Sequence, residues 1–316
     1  MQTTQAKVTV VVTVYNVEEY VGQCLESILG QTLQDIEVVV VDDCTPDNSM
    51  QVVERYATAD SRIRVVAHAK NHGLMQARRT GYMQATGDYV AFCDSDDTLP
   101  PNALEALYRK ALDSGADVVS GDMTYFFPDS GQDYIRRSRL SYGSGMTAVY
   151  KSLLLAEYHH NLCGKLFSRP LLQDHAYIVM ENFTNGEDGF LFYQIVEHVD
   201  KVVHITDTVY NYRQNMQSSS KVRLGSKAIR SICLLNQLRL QIAERHPEIL
   251  KDTRRKVTAM INSLYRDGYD RDADLDSYVA ELGLKPYSTL WSVFKYVPFP
   301  KSCKLAAKRV VGRVDK

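Results

Sequence analysis

The sequence predicts an α/β fold: a mostly parallel sheet flanked by helices, followed by a helical C-terminal extension. Three observations predict it. Short β-branched runs alternate with amphipathic helical segments from Val8 to about Ser120, with short links between them. That alternation is the signature of βα units laid into one parallel sheet. The runs are continuously apolar, as strands covered on both faces are. From Lys227 onward only helical spacing remains. The 316 residues are 45% hydrophobic and 24% charged, enough for one large domain and an appendage.

Val8 to Val14 reads as a buried strand that stops at Tyr15-Asn16. Val21, Cys24, Leu25, Ile28 and Leu29 then fall on one helical face. Glu18 and Glu19 lie in that helix's first turn, where the helix dipole favours acids. Ile36 to Val41 is a second strand ending in Asp42-Asp43, and Asp47-Asn48-Ser49 offers N-caps for a helix through Tyr56. Ile63 to Val66 is a third strand and Leu74 to Ala85 a helix. Gly87-Asp88 turns the chain into the strand beginning at Tyr89. Asn102 to Ser114 is helical and Val118-Val119 marks a further strand.

The strand from Tyr89 ends in three carboxylates within four positions, Asp94, Asp96 and Asp97. Clustered acids repel and lose hydration unless something offsets their charge. Residues i and i+2 of an extended segment point the same way. Asp94-Ser95-Asp96 therefore reads either as a clip for a Mg²⁺ or Mn²⁺ ion or as a solvated strand end whose Asp97 caps the next helix. Ligands of open α/β sheets bind beyond the carboxyl ends of the strands. Thr13 to Asn16, Asp42-Asp43 and Asp94 to Asp97 all lie at such ends, which predicts a nucleotide site. No G-x-G-x-x-G follows the first strand and no G-x-x-x-x-G-K-[ST] loop is present, against dinucleotide and P-loop sites.

Five ordered blocks carry a resemblance: Val10 to Tyr20, Ser27 to Thr32, Val41 to Ser49, Asn71 to Gly81, and Ala85 to Asp97. Over about the first 120 residues the chain resembles glycosyltransferase family 2. That resemblance implies a GT-A fold, a nucleotide-sugar donor with a divalent metal, and transfer with inversion at the anomeric carbon. It implies that Thr13, Tyr15 and Asp43 hold the nucleobase and ribose. Asp43 suits uracil, because a carboxylate accepts the ring N–H. It further implies Arg78 near the donor phosphates, where spacing alone reads a solvated helix face, with Asp94 on the donor sugar or ribose and Asp96 on the metal. The chain departs from the common pattern at Thr13 (for Pro), at Cys44-Thr45-Pro46 (for Gly-Ser-Thr) and at Arg79 (for Asn), and keeps every carboxylate.

Past Ser120 the periodicity weakens. Leu162 to Arg169 resembles the family's segment before the catalytic acid, with Lys165 near the site or on the surface. Gly186-Glu187-Asp188-Gly189 precedes an apolar helical face, Phe190, Leu191, Ile195 and Val196. By spacing, Glu187 and Asp188 are favourable charges at a helix start. By resemblance, Asp188 is the general base that takes the acceptor's proton. Val202 to Ile205 and Val209 to Tyr212 read as a closing hairpin. Arg213 is a phosphate-contact candidate, and Ser218-Ser219-Ser220 falls where the family has a lid.

The expected organisation is 1–220 for a catalytic domain (1–120 for the nucleotide-sugar, 121–220 for the acceptor) and 221–316 for a helical region with a basic tail. From Lys285 onward eight basic residues stand against one acid, in a chain of net charge −1. The aromatics of Leu290 to Pro300, including Trp291, precede the basic run Lys304 to Arg313. They suit either attachment at a membrane surface or a helix packed on the catalytic domain. The six cysteines are scattered, the N-terminus lacks signal-peptide features, and no apolar run approaches membrane-spanning length. This predicts a cytoplasmic protein, peripheral on the inner face of the membrane if the tail binds it. The partners expected are a nucleotide-sugar donor, most simply a UDP-sugar, and a glycan or lipid-linked acceptor of cell-envelope or exopolysaccharide synthesis. A homodimer is compatible, and nucleic acid is disfavoured by the acidic body, residues 1–284 carrying 29 basic and 37 acidic side chains. Competing readings are a degenerate nucleotide-sugar or glycan binding subunit, which predicts loss of Asp96 or Asp188, and a sugar nucleotidyltransferase, which predicts a Gly-rich basic first loop.

Overall fold

The computed structural model describes residues 6–128, 131–181, 183–214, 225–266 and 275–281. The chain divides into two compact units between Val222 and Arg223, except that Thr184–Gly186 belongs with the second.

The first unit is built on an eight-stranded sheet. β1 (Val8–Val14), β2 (Ile36–Asp42), β3 (Ile63–Ala67) and β4 (Tyr89–Asp94) are parallel, in the order β3-β2-β1-β4. β1 is buried along its whole length. Its five valines each contribute about 1.5–3 kcal/mol of burial, which fixes it as the centre. α1 (Val21–Leu29) packs on α2 (Ser49–Ala59), and α3 (Leu74–Met83) lies on β1 and β2. α3 comes so close that a Cβ on Gly81 would stand 2.2 Å from Val11 Cγ1.

The register brings three polar strand ends to one edge. Val14 pairs with Asp42 across β1 and β2, and Thr13 pairs with Asp94 across β1 and β4. Asn16 and Cys44 both adopt left-handed backbone there. The Thr45 hydroxyl accepts from Asn16 N–H at 2.8 Å, joining the two loops.

α4 (Ala103–Ser114) then leads to β5 (Val118–Phe126). β6 (Tyr134–Arg136) and α5 (Met146–Leu154) follow, then β7 (Lys165–Ser168), α6 (Arg169–Gln173) and α7 (Glu187–Val196). β7 runs antiparallel between β4 and β5, so it carries the sheet from one half to the other.

The expected hairpin at 202–212 is instead one strand, β8 (Val202–Arg213), parallel to β5. Thr206-Asp207-Thr208 breaks the apolar pattern as a turn would, but it is absorbed as a register shift opposite Ser120 to Met123. Gly121 makes that possible, since a Cβ there would meet the Asp207 carbonyl at 2.7 Å and Val209 at 2.6 Å.

In the second unit α8 (Ser226–Arg245), α9 (Pro247–Arg266) and α10 (Leu275–Glu281) share a core of Ile229, Cys233, Leu240, Val257, Ile261, Leu264, Leu275 and Val279. No helix among the described residues is long and apolar enough to cross a membrane. The Ser218–Ser220 segment and the aromatic and basic tail from Lys285 lie outside the described residues.

Candidate active site

Asp43 is buried and its carboxylate is surrounded by donors. His72 N–H donates to Oδ1 at 2.9 Å and Gly73 N–H to Oδ2 at 2.8 Å. The His68 ring shares Nδ1 with Oδ1 at 2.7 Å, and its Nε2 meets the Thr80 hydroxyl at 2.9 Å. The 68–73 loop is thus folded around the end of β2. His72 is held in turn by Glu181 at 2.7 Å. Thr13 is buried beside this edge and Tyr15 is exposed on it. The signal for His68 and His72 was their placement around Asn71-His72-Gly73, which periodicity does not register.

The β4 end separates its three acids. Asp97 is fully buried; it accepts the Tyr210 hydroxyl at 2.7 Å and Arg213 N–H at 2.7 Å. Burial pushes its carboxyl up. Tyr210 also accepts from Asp94 N–H at 3.0 Å, so it ties β8 to the acid run. Arg213 lies behind the run: its Nε–H donates to the Asp96 carbonyl and Nη2 to Gln23, both at 2.8 Å, and its guanidinium sits between the Tyr20 and Phe126 rings. Its cation is therefore engaged with protein groups.

Asp96 differs from its neighbours. Burial, then the charge of Asp94, pushes its carboxyl up to about 6. A cation would relieve both effects, so the residue fits a divalent ion. No group of three or more His, Cys, Asp or Glu converges on a metal position among the described residues. Asp96 is thus one carboxylate that suits an ion taking its other oxygens from outside the protein, as Mg²⁺ commonly does.

Arg78 brings the two halves together. It is 2% exposed and pairs with Asp94 at 2.7 Å through Nη2 and with Asp188 through Nη1. Its Nε has no acceptor among the described residues. Asp188, 19% exposed, also accepts from Leu162 N–H at 3.3 Å. Burial pushes Asp188 up and the Arg78 charge opposes it. Beside it, burial and the Asp188 charge push Glu187 up to about 7. Lys165 is buried at the start of β7. Arg78, Asp94 and Asp188 thus form one charged centre, with Asp96 two residues along from Asp94. Asp43 lies at the β2 end.

A sequence profile described as Glycosyl transferase family 2 matches residues 9–175. The chain belongs to glycosyl transferase family 2. GlyA, a glycosyltransferase of Streptococcus pneumoniae serotype 4, is 32% identical over 224 residues, covering 68% of this chain and 32% of GlyA. The match thus spans about a third of that relative. Among solved structures, S. aureus TarS in complex with UDP-GlcNAc superposes with a TM-score of 0.64 at 21% identity, over 82% of this chain and 73% of the TarS fragment 1–349. The mannosyltransferase PcManGT of Pyrobaculum calidifontis, in complex with GDP-Man and Mn²⁺, gives 0.56 at 18% identity, over 98% and 87%. The family-2 chain has the GT-A fold, a mixed sheet with a parallel core and a C-terminal helical extension.

Proposed function

We propose that this chain is an inverting glycosyltransferase that moves a sugar from a UDP-sugar to a hydroxyl of a glycan or lipid-linked acceptor in cell-envelope or exopolysaccharide synthesis. One observation carries the reading: Arg78 gathers Asp94 from the β4 end and Asp188 from α7 around a single buried cation. The family membership and the donor complexes of the two structural neighbours support it.

In this scheme Asp43 accepts the uracil N–H, since its oxygens are already oriented by three donors. Thr13 and Tyr15 border the nucleoside. Asp94 faces the ribose or donor sugar. Asp96 would hold a Mn²⁺ or Mg²⁺ ion, and that ion when bound neutralises charge on the departing diphosphate. Asp188 takes the acceptor hydroxyl proton as the oxygen attacks the anomeric carbon. Arg78 keeps Asp188 ionised and turned toward the acceptor side.

The test is release of nucleoside diphosphate from a panel of UDP-, GDP- and dTDP-sugars with Mn²⁺, Mg²⁺ or EDTA, with Asp96→Ala as control. The reading predicts metal-dependent release from one donor, lost in the variant. Neither release nor metal-dependent nucleotide binding would instead favour a degenerate nucleotide-sugar binding protein.

A further inference from the structure

Lys165 is a buried cation that the scheme above leaves unused. It is 3% exposed and starts β7. Its ammonium lies 5.1 Å from the centres of both the Tyr158 and Phe192 rings. Its hydrogen bond runs to the Asn161 carbonyl at 2.5 Å, and no carboxylate forms an ion pair with it among the described residues. Burial pulls its pKa down to about 7, with the Asp188 charge acting in the opposite sense.

The carbonyl of Asn161 and the N–H of Leu162 are the two ends of one peptide unit. Lys165 holds the oxygen end, and the nitrogen end donates to Asp188 Oδ2 at 3.3 Å. In a trans peptide these groups point in opposite directions. A cation at the oxygen therefore polarises the N–H toward the carboxylate, and linked hydrogen bonds strengthen one another. The turn is itself fixed, because the Asn161 side chain donates to the Cys163 carbonyl at 2.6 Å. Asp188 Oδ1 is taken by Arg78, so the peptide determines the orientation of the remaining oxygen.

We propose that Lys165 is a positioning residue for Asp188, acting through the single Asn161–Leu162 peptide that the two side chains share. The proposal rests on Asp188 being the general base. Arg78 from α3, Asp94 from β4, Glu187 on α7 and Cys163 in the turn also face Asp188. Arg78 and Lys165 are the cations of that set. Without Lys165 one cation remains against two neighbouring acids, and Asp188 holds its proton more tightly.

The test is a carbon-13 NMR titration of the full chain labelled at aspartate Cγ, with the Asp188 signal assigned by its loss in Asp188→Asn. Lys165→Met raises the Asp188 midpoint by about one pH unit, the order of effect of removing one neighbouring charge. Lys165→Arg, which keeps a cation, leaves the midpoint in place. In Lys165→Met, turnover of the donor the wild type uses falls at least about tenfold, while the Kd for UDP with Mn²⁺ stays within about twofold. Its melting temperature is unchanged or higher, because an isosteric apolar side chain replaces a desolvated charge. An Asp188 titration identical in Lys165→Met and wild type overturns the proposal. So does a loss of UDP affinity matching the loss of turnover. Full turnover in Asp188→Asn would sink the base assignment instead, while the NMR midpoint still reports whether Lys165 and Asp188 are coupled.

Discussion

Asp43 and Asp188 lie in two halves of the same sheet-built unit, and their hydrogen-bond donors differ in kind. Asp43, on the donor side, is wrapped by the 68–73 loop, with two backbone N–H groups and one imidazole. Asp188, on the acceptor side, is held by one guanidinium from α3 and one N–H from the 161–164 turn. A carboxylate surrounded by backbone and imidazole donors is a fixed acceptor, suited to reading a nucleobase N–H. A carboxylate held by one buried guanidinium and one N–H has its basicity set by a neighbouring charge, as suits a general base. On the proposed function, the two halves divide recognition from chemistry.

The sharpest way to break that division is Asp188→Asn. It should lower transfer about 10²–10⁴-fold, the usual worth of a general base, and leave UDP affinity unchanged. Steady-state kinetics beside calorimetry would read both. Arg78→Met comes next. It strands two partly buried carboxylates and should cost about 3–5 kcal/mol of stability, seen in urea unfolding. The loss should shrink at acid pH, where those carboxylates take up protons.

The unequal legibility of the two halves follows from how each is built. The donor side was readable because each strand is a continuous β-branched run that stops at a polar residue. Val8–Val14, Ile36–Asp42 and Tyr89–Asp94 form within a residue of their expected limits. The acceptor side was not, because its site depends on pairs far apart in sequence. Arg78 reaches Asp188 across 110 positions, and Tyr210 reaches Asp97 across 113. Helical periodicity at Leu74–Ala85 makes Arg78 an exposed-looking residue and says nothing of its partners. The β8 strand is hidden in the sequence for a related reason: Asp207 looks like a turn until Gly121 lies opposite it.

Asp43→Asn sharpens the donor side. An amide keeps the shape but places an N–H₂ against the backbone donors or the base, so UDP affinity should fall by about 1–3 kcal/mol. A cytidine nucleotide should be affected less, because cytosine N3 carries no N–H for the carboxylate to accept. Competition binding would show it.

A smaller effect concerns pH at Asp96. The unfolded chain releases this proton near the ordinary carboxylate value, whereas the folded chain holds it until about 6. This group therefore lowers stability as pH rises from about 4 to 6, and the cost persists above that range. A bound cation offsets the cost. The melting-temperature gain from Mn²⁺ with UDP should grow between pH 5 and pH 7.5 and vanish in Asp96→Asn.

Calorimetric titration of UDP, with and without Mn²⁺, into wild type, Asp96→Ala and Asp188→Asn tests the division most directly. The account predicts metal-enhanced binding in wild type and in Asp188→Asn alike, and no metal enhancement in Asp96→Ala. Metal enhancement that survives in Asp96→Ala, or disappears in Asp188→Asn, would contradict it.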